Sequence, residues 1–252
     1  MKKMSGSILQ LQGITKFFGG LRVCDNLNLD VLPGELHALI GPNGAGKTTL
    51  LNLVTGLLPV ARGRMYFKGT DITRKRVHER AHLGMARSFQ ITSLLQGFTV
   101  QENISLAVQA VKGSGYRFWK RADTDPQLLE PTREILARVG LAERAEIKAS
   151  NLSHGEQRLL EMGMALATGP DLLLLDEPMA GLGPGSSRNL TERINSLKGS
   201  ATILLVEHDM QAVFSLADRI TVLVEGRVAA TGTPQDIRNN SVVQEAYLGT
   251  PC

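Results

Sequence analysis

Short apolar runs alternate along the chain with glycine-bearing turns and with segments of helical periodicity. Residues 36–40 are predicted to form a buried strand, residues 41–47 a loop, and residues 48–55 a helix that ends at Gly56. Two further apolar runs of strand length follow at residues 172–175 and 202–206. Strands that alternate with helices predict an α/β fold with a mostly parallel sheet, whose ligands lie beyond the carboxyl ends of the strands.

Between residues 90 and 167 the pattern becomes helical, and no strand is predicted there. The clearest helical segments are residues 131–139 and 157–167. We therefore expect a single domain over residues 7–250. Its expected parts are a core of residues 7–89 and 168–250 and a helical lobe of residues 90–167.

One segment of this lobe, residues 112–125 (KGSGYRFWKRADTD), has neither helical nor strand periodicity and is predicted to be an exposed loop. It carries Tyr116, Phe118 and Trp119 among several basic residues. Aromatic rings and cations together suit a membrane interface. The alternative is a surface insertion whose aromatic side chains fold back onto the lobe.

The charge balance is modest: 28 Lys and Arg against 24 Asp and Glu give a net charge of +4, spread along the chain. Nucleic acid is therefore not an expected partner. Two distant cysteines, Cys24 and Cys252, predict neither a disulfide framework nor a metal site, and fit a reducing, cytosolic compartment. Residues 1–10 lack the apolar stretch of a signal peptide, and no apolar run approaches the roughly 20 residues that cross a bilayer.

The loop after the first predicted strand reads GPNGAGKT and matches the phosphate-binding pattern G-x-x-x-x-G-K-[ST] between a strand and a helix. Its glycines allow backbone N–H groups to face phosphate oxygens, Lys47 can reach the β and γ phosphates, and the Thr48 hydroxyl can bind Mg²⁺. The motif therefore predicts an ATP site with Mg²⁺. Its nucleotide-binding residues are expected to be Gly41, Asn43, Gly44, Ala45, Gly46, Lys47, Thr48 and Thr49.

Two downstream stretches narrow the class of P-loop protein. In LSHGEQ, residues 152–157, Ser153 is predicted to cap the following helix, with Glu156 at the capping-box position. In LLLLDE, residues 172–177, a buried strand ends in two acids, Asp176 and Glu177. The first stretch resembles the LSGGQ signature of ABC ATPases, and the second resembles their Walker B motif. The resemblance implies their fold: a P-loop NTPase core of mostly parallel sheet with an inserted helical subdomain.

The resemblance also implies individual roles. Glu177 matches the catalytic glutamate that orients or deprotonates the attacking water, and His208 matches the switch histidine that contacts the γ-phosphate. Lys47 completes the catalytic set. Asp176, with Thr48 and the Q-loop glutamine Gln90, corresponds to the Mg²⁺ site. The aromatic residue that stacks on adenine corresponds to Phe18, or alternatively to Phe17.

In this family, the signature of one subunit closes over the γ-phosphate bound to the P-loop of the other, which assigns Ser153 and Gly155 to the partner's nucleotide. Two positions depart from the pattern: His154 replaces a small residue of the signature, and Gly183 replaces the aspartate that many relatives have in the D-loop. Their effect on the contacts across the dimer stays open.

Four short stretches, LSHGE, DEPMAGL, VEHDM and the terminal AYLG, look like the ATPases of branched-chain amino acid importers. This implies transmembrane permease subunits, an identical or paralogous ATPase partner, a periplasmic binding protein and a peripheral place on the cytoplasmic face of the inner membrane. In the family, a short helix of the permease binds beside Gln90 and residues 91–102. Alternatives are an exporter ATPase of the lipopolysaccharide type, and an ABC ATPase of DNA repair or translation, which the single cassette and weak charge disfavour.

Overall fold

The computed structural model describes residues 6–88, 94–112, 126–241 and 243–244. Within these residues its strands are β1 (Leu9–Phe18), β2 (Leu21–Val31), β3 (Leu36–Ile40), β4 (Arg62–Phe67), β5 (Thr70–Asp71), β6 (Met85–Arg87), β7 (Leu172–Asp176), β8 (Thr202–Val206), β9 (Arg219–Val224) and β10 (Arg227–Gly232). Its helices are α1 (Lys47–Thr55), α2 (Val77–His82), α3 (Val100–Lys112), α4 (Pro126–Val139), α5 (His154–Ala167), α6 (Pro184–Ser196), α7 (Met210–Leu216) and α8 (Pro234–Arg238).

The strands form two sheets. Strands β9, β3, β8, β7 and β6 lie side by side and parallel, with β10 antiparallel at one edge. Strands β2, β1, β4 and β5 form a separate antiparallel sheet. Parallel strands align their carboxyl ends, so the loops that follow β3, β7 and β8 meet at one edge. The predicted α/β fold with a mostly parallel sheet is confirmed.

Both faces of the parallel sheet are covered, which explains why its central strands are apolar throughout. Alternate residues of β7 enter different clusters: Leu173 and Leu175 pack with the helical residues of α3 to α7, whereas Leu172 and Leu174 pack toward α1 and the antiparallel sheet. Full burial of five consecutive residues replaces the alternation that a one-sided strand would show.

Local predictions at β3 and α1 are confirmed, and α1 ends at Gly56 in the left-handed region, with φ 83°. The helix predicted over residues 131–139 begins earlier, at Pro126, with Pro131 inside it. Helices α3, α4 and α5 lie between β6 and β7 in the chain and pack against one another. Gln90 and residues 113–125, including the three aromatic residues of the predicted loop, lie outside the described residues.

The described part of the chain contains no helix with the length and apolar character that crossing a membrane requires. Cys24 is buried in β2, and burial raises the pKa of its thiol to about 11. A thiol with such a pKa stays protonated and unreactive at neutral pH.

Candidate active site

The loop between β3 and α1 has a backbone that side chains would disrupt. A Cβ at Gly41 would lie 2.3 Å from the Leu223 carbonyl oxygen, and one at Gly46 would lie 2.7 Å from that of Val23. Gly46 also has φ 100°, in the left-handed region that favours glycine. It caps α1 without a side-chain hydrogen bond, so the first backbone N–H groups of the helix remain available to an anion.

Lys47 lies folded against this loop. Its ammonium is buried and donates hydrogen bonds to the carbonyl oxygens of Gly41, at 2.6 Å, and Pro42, at 3.2 Å. Burial lowers the pKa of Lys47, and the carboxylates of Glu177 and Asp176 oppose that shift. The lysine therefore already lies in the field of both acids at the end of β7.

Asp176 ends β7 with a fully buried side chain. Its Oδ2 accepts a hydrogen bond from Arg87 Nη2 at 2.7 Å, whereas Oδ1 is buried without a hydrogen-bond partner among the described residues. An unpaired buried carboxylate oxygen is costly unless a ligand or cation satisfies it. Asp176 therefore presents one free oxygen to the site.

Arg87 is a site residue that sequence analysis missed. It ends β6, three residues before Gln90, and its Nη1 donates to Asn52 Oδ1 of α1 at 2.6 Å. The guanidinium thus joins α1 to the acid at the end of β7. Asn52 is 35 positions and Asp176 is 89 positions from Arg87 in the chain, so no local motif connects the three residues.

Glu177 follows with a backbone φ of 47°, an uncommon conformation for a residue with a side chain. Its N–H donates to the Val206 carbonyl at the end of β8, which brings it close to the residues that follow that strand. Glu177 Oε2 lies 4.0 Å from His208 Nδ1, and both side chains are partly accessible to solvent. Lys47, Asp176, Glu177 and His208 thus meet at one edge of the sheet.

Glu207, which the sequence analysis did not identify, stabilises the two loops that carry these residues. Its fully buried carboxylate accepts backbone hydrogen bonds from Met179, at 2.9 Å, His208, at 2.8 Å, and Asp209, at 3.2 Å. One side chain therefore holds the loop after β7 against the loop after β8. Because His208 Nδ1 also lies 3.7 Å from Glu207 Oε2, two carboxylates face the imidazole.

Several known proteins are similar to this chain in sequence. The family model for the ABC transporter matches residues 24–180, and that for the branched-chain amino acid ATP-binding cassette transporter matches residues 227–251. The chain is 39% identical over 255 residues to the high-affinity branched-chain amino acid transport ATP-binding protein LivG of Escherichia coli K12, covering 98% of this chain and 99% of that protein. This chain belongs to the ABC transporter ATP-binding family.

Further comparisons extend over nearly the whole length. The corresponding protein BraF of Pseudomonas aeruginosa is 36% identical over 255 residues, which is 98% of this chain and 99% of BraF. The crystal structure of an ABC transporter ATP-binding cassette in its ADP conformation superposes with a TM-score of 0.85 at 32% identity, covering 96% of this chain and 99% of that one. The expected ABC ATPase fold is therefore confirmed.

The stretch LSHGEQ, which was predicted to be the signature, spans the start of α5. Ser153 Oγ accepts the Glu156 N–H at 3.3 Å, and the Glu156 carboxylate accepts the Ser153 N–H at 2.9 Å, which confirms the predicted capping box. The hydrogen bond from the Ser153 N–H lowers the pKa of Glu156, and Arg144 Nε lies 3.1 Å from the same carboxylate. The cap therefore holds Ser153 in place at the start of the helix.

Gly155 lets this helix approach α6, since a Cβ there would lie 2.9 Å from Ser186 Cβ. Ser153 and Gly155 line an open hollow of about 390 Å³ with Arg144 and Asn189, and His154 beside them is exposed. Among the described residues, no hydrogen bond or ion pair joins Ser153 or Gly155 to the P-loop of the same chain.

The remaining predicted site residues are placed as follows. Phe18 ends β1 with its ring about half exposed, and Lys16 Nζ lies 5.3 Å from the ring centroid. Phe17 is less exposed and faces Arg22, whose guanidinium lies 5.5 Å from its ring.

Gly183 caps α6, and Pro184 follows at its first position. Within the P-loop, Asn43 and Gly44 are exposed, Ala45 is buried, and Thr48 and Thr49 are partly buried.

Proposed function

We propose that this ABC ATPase binds ATP with Mg²⁺ and hydrolyses it to energise a bacterial membrane importer of branched-chain amino acids or related substrates. The observation that carries the proposal is the meeting of Lys47, Asp176, Glu177 and His208 at the carboxyl ends of β3, β7 and β8. The substrate class rests on the names of LivG and BraF, to which the chain is similar over nearly its whole length.

Each side chain has a distinct task in this proposal. Backbone N–H groups at the start of α1 hold phosphate oxygens, and Lys47 exchanges the carbonyl oxygens of Gly41 and Pro42 for the more negative β and γ phosphates. The Glu177 carboxylate orients the attacking water and accepts its proton. The His208 imidazole donates a hydrogen bond to the γ-phosphate, and Phe18 stacks on the adenine.

The residues around Asp176 fit Mg²⁺. The free Oδ1 of Asp176 and the Thr48 hydroxyl would supply oxygen ligands that this cation prefers, directly or through its water shell, and Gln90 would add another. Among the described residues, no cluster of three or more His, Cys, Asp or Glu side chains could hold a metal alone, as is usual when substrate phosphates complete the site. The bound cation would neutralise charge that develops on the phosphates.

A second ATPase chain, identical or paralogous, would supply Ser153 and Gly155 to the nucleotide held by Lys47. The capped start of α5 has the positive end of a helix dipole, and the Ser153 hydroxyl, which donates to the Glu156 carboxylate at 2.8 Å, would turn to the phosphate when the chains meet. We therefore expect a monomer without nucleotide and a dimer with ATP when hydrolysis is blocked. Transmembrane permease subunits and, through them, a periplasmic binding protein complete the proposed assembly, with this chain peripheral on the cytoplasmic face.

The segment that follows Gln90 is the proposed contact with the permease. Leu94 and Val100 are buried in the core, whereas Leu95 is 45% exposed and Phe98 44% exposed. Two large apolar side chains exposed on a segment that joins the core to the helical lobe favour a partner surface. We also retain as a proposal the division into a core of residues 7–89 and 168–250 and a lobe of residues 90–167.

The proposed function is tested by purifying the chain with its membrane subunits and measuring ATP hydrolysis and amino acid uptake. Replacing Lys47 by Ala is expected to weaken ATP binding by at least about tenfold, because a charge-assisted contact to the phosphates is lost. Lys198→Ala, which removes a surface ammonium paired with Asp218, is the control and should bind ATP normally. Equal affinity in the Lys47 variant would contradict the assignment of this site.

The permease contact has a separate test. Replacing Phe98 by Ala is expected to reduce uptake by the assembled transporter much more than ATP hydrolysis by the isolated subunit, because the ring contacts the partner and not the nucleotide. Leu32→Ala serves as control, since Leu32 is also an exposed apolar residue but precedes β3, opposite the site. An equal fall of uptake and hydrolysis would show that Phe98 only packs core against lobe.

A further inference from the structure

Basic residues are concentrated in one segment of the core. Residues 62–80 contain seven Lys and Arg against two Asp and Glu, a local net charge of +5, whereas the whole chain carries +4. The expectation that the positive charge is spread along the chain is therefore wrong. The basic residues are Arg62, Arg64, Lys68, Arg74, Lys75, Arg76 and Arg80.

Folding gathers most of these residues around a double hollow. One hollow, of about 570 Å³, is lined by Arg64, Arg74 and Lys75 among others, and the second, of about 450 Å³, by Arg62, Arg74, Lys75, Arg76 and Arg80. The two share Gly63, Thr73, Arg74 and Lys75, so they form one continuous depression, called here the basic groove. It lies between the start of β4 and the approach to α2.

Some of the charges in the groove serve the fold. Arg80 is buried and donates to the carbonyl oxygens of Leu53, at 2.6 Å, and Val54, at 2.7 Å, which caps the carboxyl end of α1. Burial lowers the pKa of Arg80 to about 10, so it stays charged at neutral pH. Lys75 Nζ lies 3.7 Å from Glu79. Arg80 and Lys75 therefore line the groove but are already engaged within the protein.

The other arginines face outward. Arg62, Arg74 and Arg76 are exposed, and among the described residues no carboxylate lies within ion-pair distance of their guanidinium groups. Two acids also line the groove: Asp71 accepts the Thr73 N–H at 2.9 Å, and Glu79 accepts the Arg76 backbone N–H at 2.8 Å. A guanidinium presents donors in a planar fork that matches phosphate oxygens. The exposed chemistry of the groove is therefore that of a phosphate receptor.

This groove is separate from the nucleotide site. The P-loop lies at the amino end of α1, and the groove lies at its carboxyl end, where Arg80 binds. Nine helical residues at about 1.5 Å each separate the two ends by roughly 13 Å. The exposed arginines therefore do not bind the phosphates of the ATP that Lys47 holds.

Apolar side chains border the basic groove. Leu57, which follows the lining residue Gly56 in the chain, is 57% exposed, and Val77, which follows the lining residue Arg76, is 45% exposed. Exposed aliphatic side chains beside unpaired arginines match the boundary between lipid headgroups and acyl chains, where both kinds of group are stabilised. A small soluble phosphate ion would gain nothing from contact with these apolar side chains.

We infer that the basic groove binds the phosphate headgroups of anionic phospholipids, with Arg62, Arg74 and Arg76 as the contacting residues. This inference rests on the proposed function in one respect, that the chain works at a membrane surface. Its role there is to hold the core of the subunit against the bilayer beside the permease. The contact is electrostatic, so it weakens with rising salt concentration.

The test is cosedimentation of the full-length chain with vesicles of phosphatidylcholine, alone or mixed with phosphatidylglycerol. We expect binding to the mixed vesicles that high salt reverses, and little binding to phosphatidylcholine alone. Arg74→Glu combined with Arg76→Glu is expected to weaken binding at least about tenfold, since each reversal replaces an attraction by a repulsion. ATP hydrolysis in solution should be unchanged, which shows that the variant is folded.

The matched control is Arg133→Glu combined with Arg238→Glu, which changes net charge equally at exposed residues of α4 and α8. It should retain vesicle binding. Equal loss in both double variants, release of the protein by inorganic phosphate but not by sodium chloride of the same ionic strength, or loss of permease assembly in detergent without loss of vesicle binding would each overturn the inference. The proposed function fails differently, by absence of ATP-driven uptake in the unaltered complex.

Discussion

Replacing Glu177 by Gln is expected to lower ATP turnover about 10²- to 10⁴-fold while ATP binding persists. The amide keeps the size and the backbone conformation of the glutamate but cannot accept a proton from water. Lys47 and the start of α1, which we propose hold the phosphates, are not altered. With hydrolysis blocked, nucleotide should also shift the chain from monomer to dimer, which light scattering measures.

Glu225→Gln is a well-matched control for this variant. Glu225 also has a φ of 47°, but it lies exposed in the turn between β9 and β10. The same substitution in the same backbone conformation should leave turnover unchanged. Near-normal hydrolysis by the Glu177 variant would show that another group activates the water. Absence of dimerisation, alone or in a mixture with the paralogue, would contradict the two-chain site instead.

Replacing Arg87 by Met is expected to lower the free energy of unfolding by about 3–5 kcal/mol, because it leaves the buried Asp176 carboxylate without its counter-charge. The same change should reduce hydrolysis, since Asp176 and Asn52 of α1 lose the group that aligns them. Urea unfolding without nucleotide measures the first effect, and a steady-state ATPase assay measures the second.

Two controls separate the Arg87 network from charge in general. Arg133→Met breaks an ion pair with Glu130 in which both side chains are largely exposed, and it should cost no more than about 1 kcal/mol. Arg87→Lys retains the charge but not the fork that bridges Asp176 and Asn52, so its stability should lie between those of the wild type and the Met variant. A cost at Arg87 as small as at Arg133 would mean that the pair does not stabilise the site.

Features that depend on near neighbours in the chain could be predicted from the sequence. The strands at residues 36–40 and 202–206 follow from continuous apolar runs, and α1 ends where Gly56 permits a left-handed turn. The cap of α5 by Ser153 and Glu156 follows from a three-residue spacing. Lys47 was expected from the P-loop motif, and Asp176, Glu177 and His208 were expected from their resemblance to ABC ATPase motifs that follow predicted strands.

Features that depend on distant residues emerged only in the tertiary structure. The antiparallel sheet of β2, β1, β4 and β5 has weaker patterning, since its strands mix buried and exposed residues and carry register shifts. Arg87 is an ordinary arginine in the sequence until β6 pairs with β7 and brings it to Asp176. Glu207 is likewise one acid among many until two loops converge on it.

The chemistry of the phosphate site was thus determined by the sequence itself, because a P-loop and a capped helix are built from hydrogen bonds within a few residues. The partnering of charges was decided by the fold, because electrostatic energy depends on distance and burial and not on separation along the chain. The same rule placed Asp176 in a buried ion pair and left the arginines of the basic groove exposed to solvent.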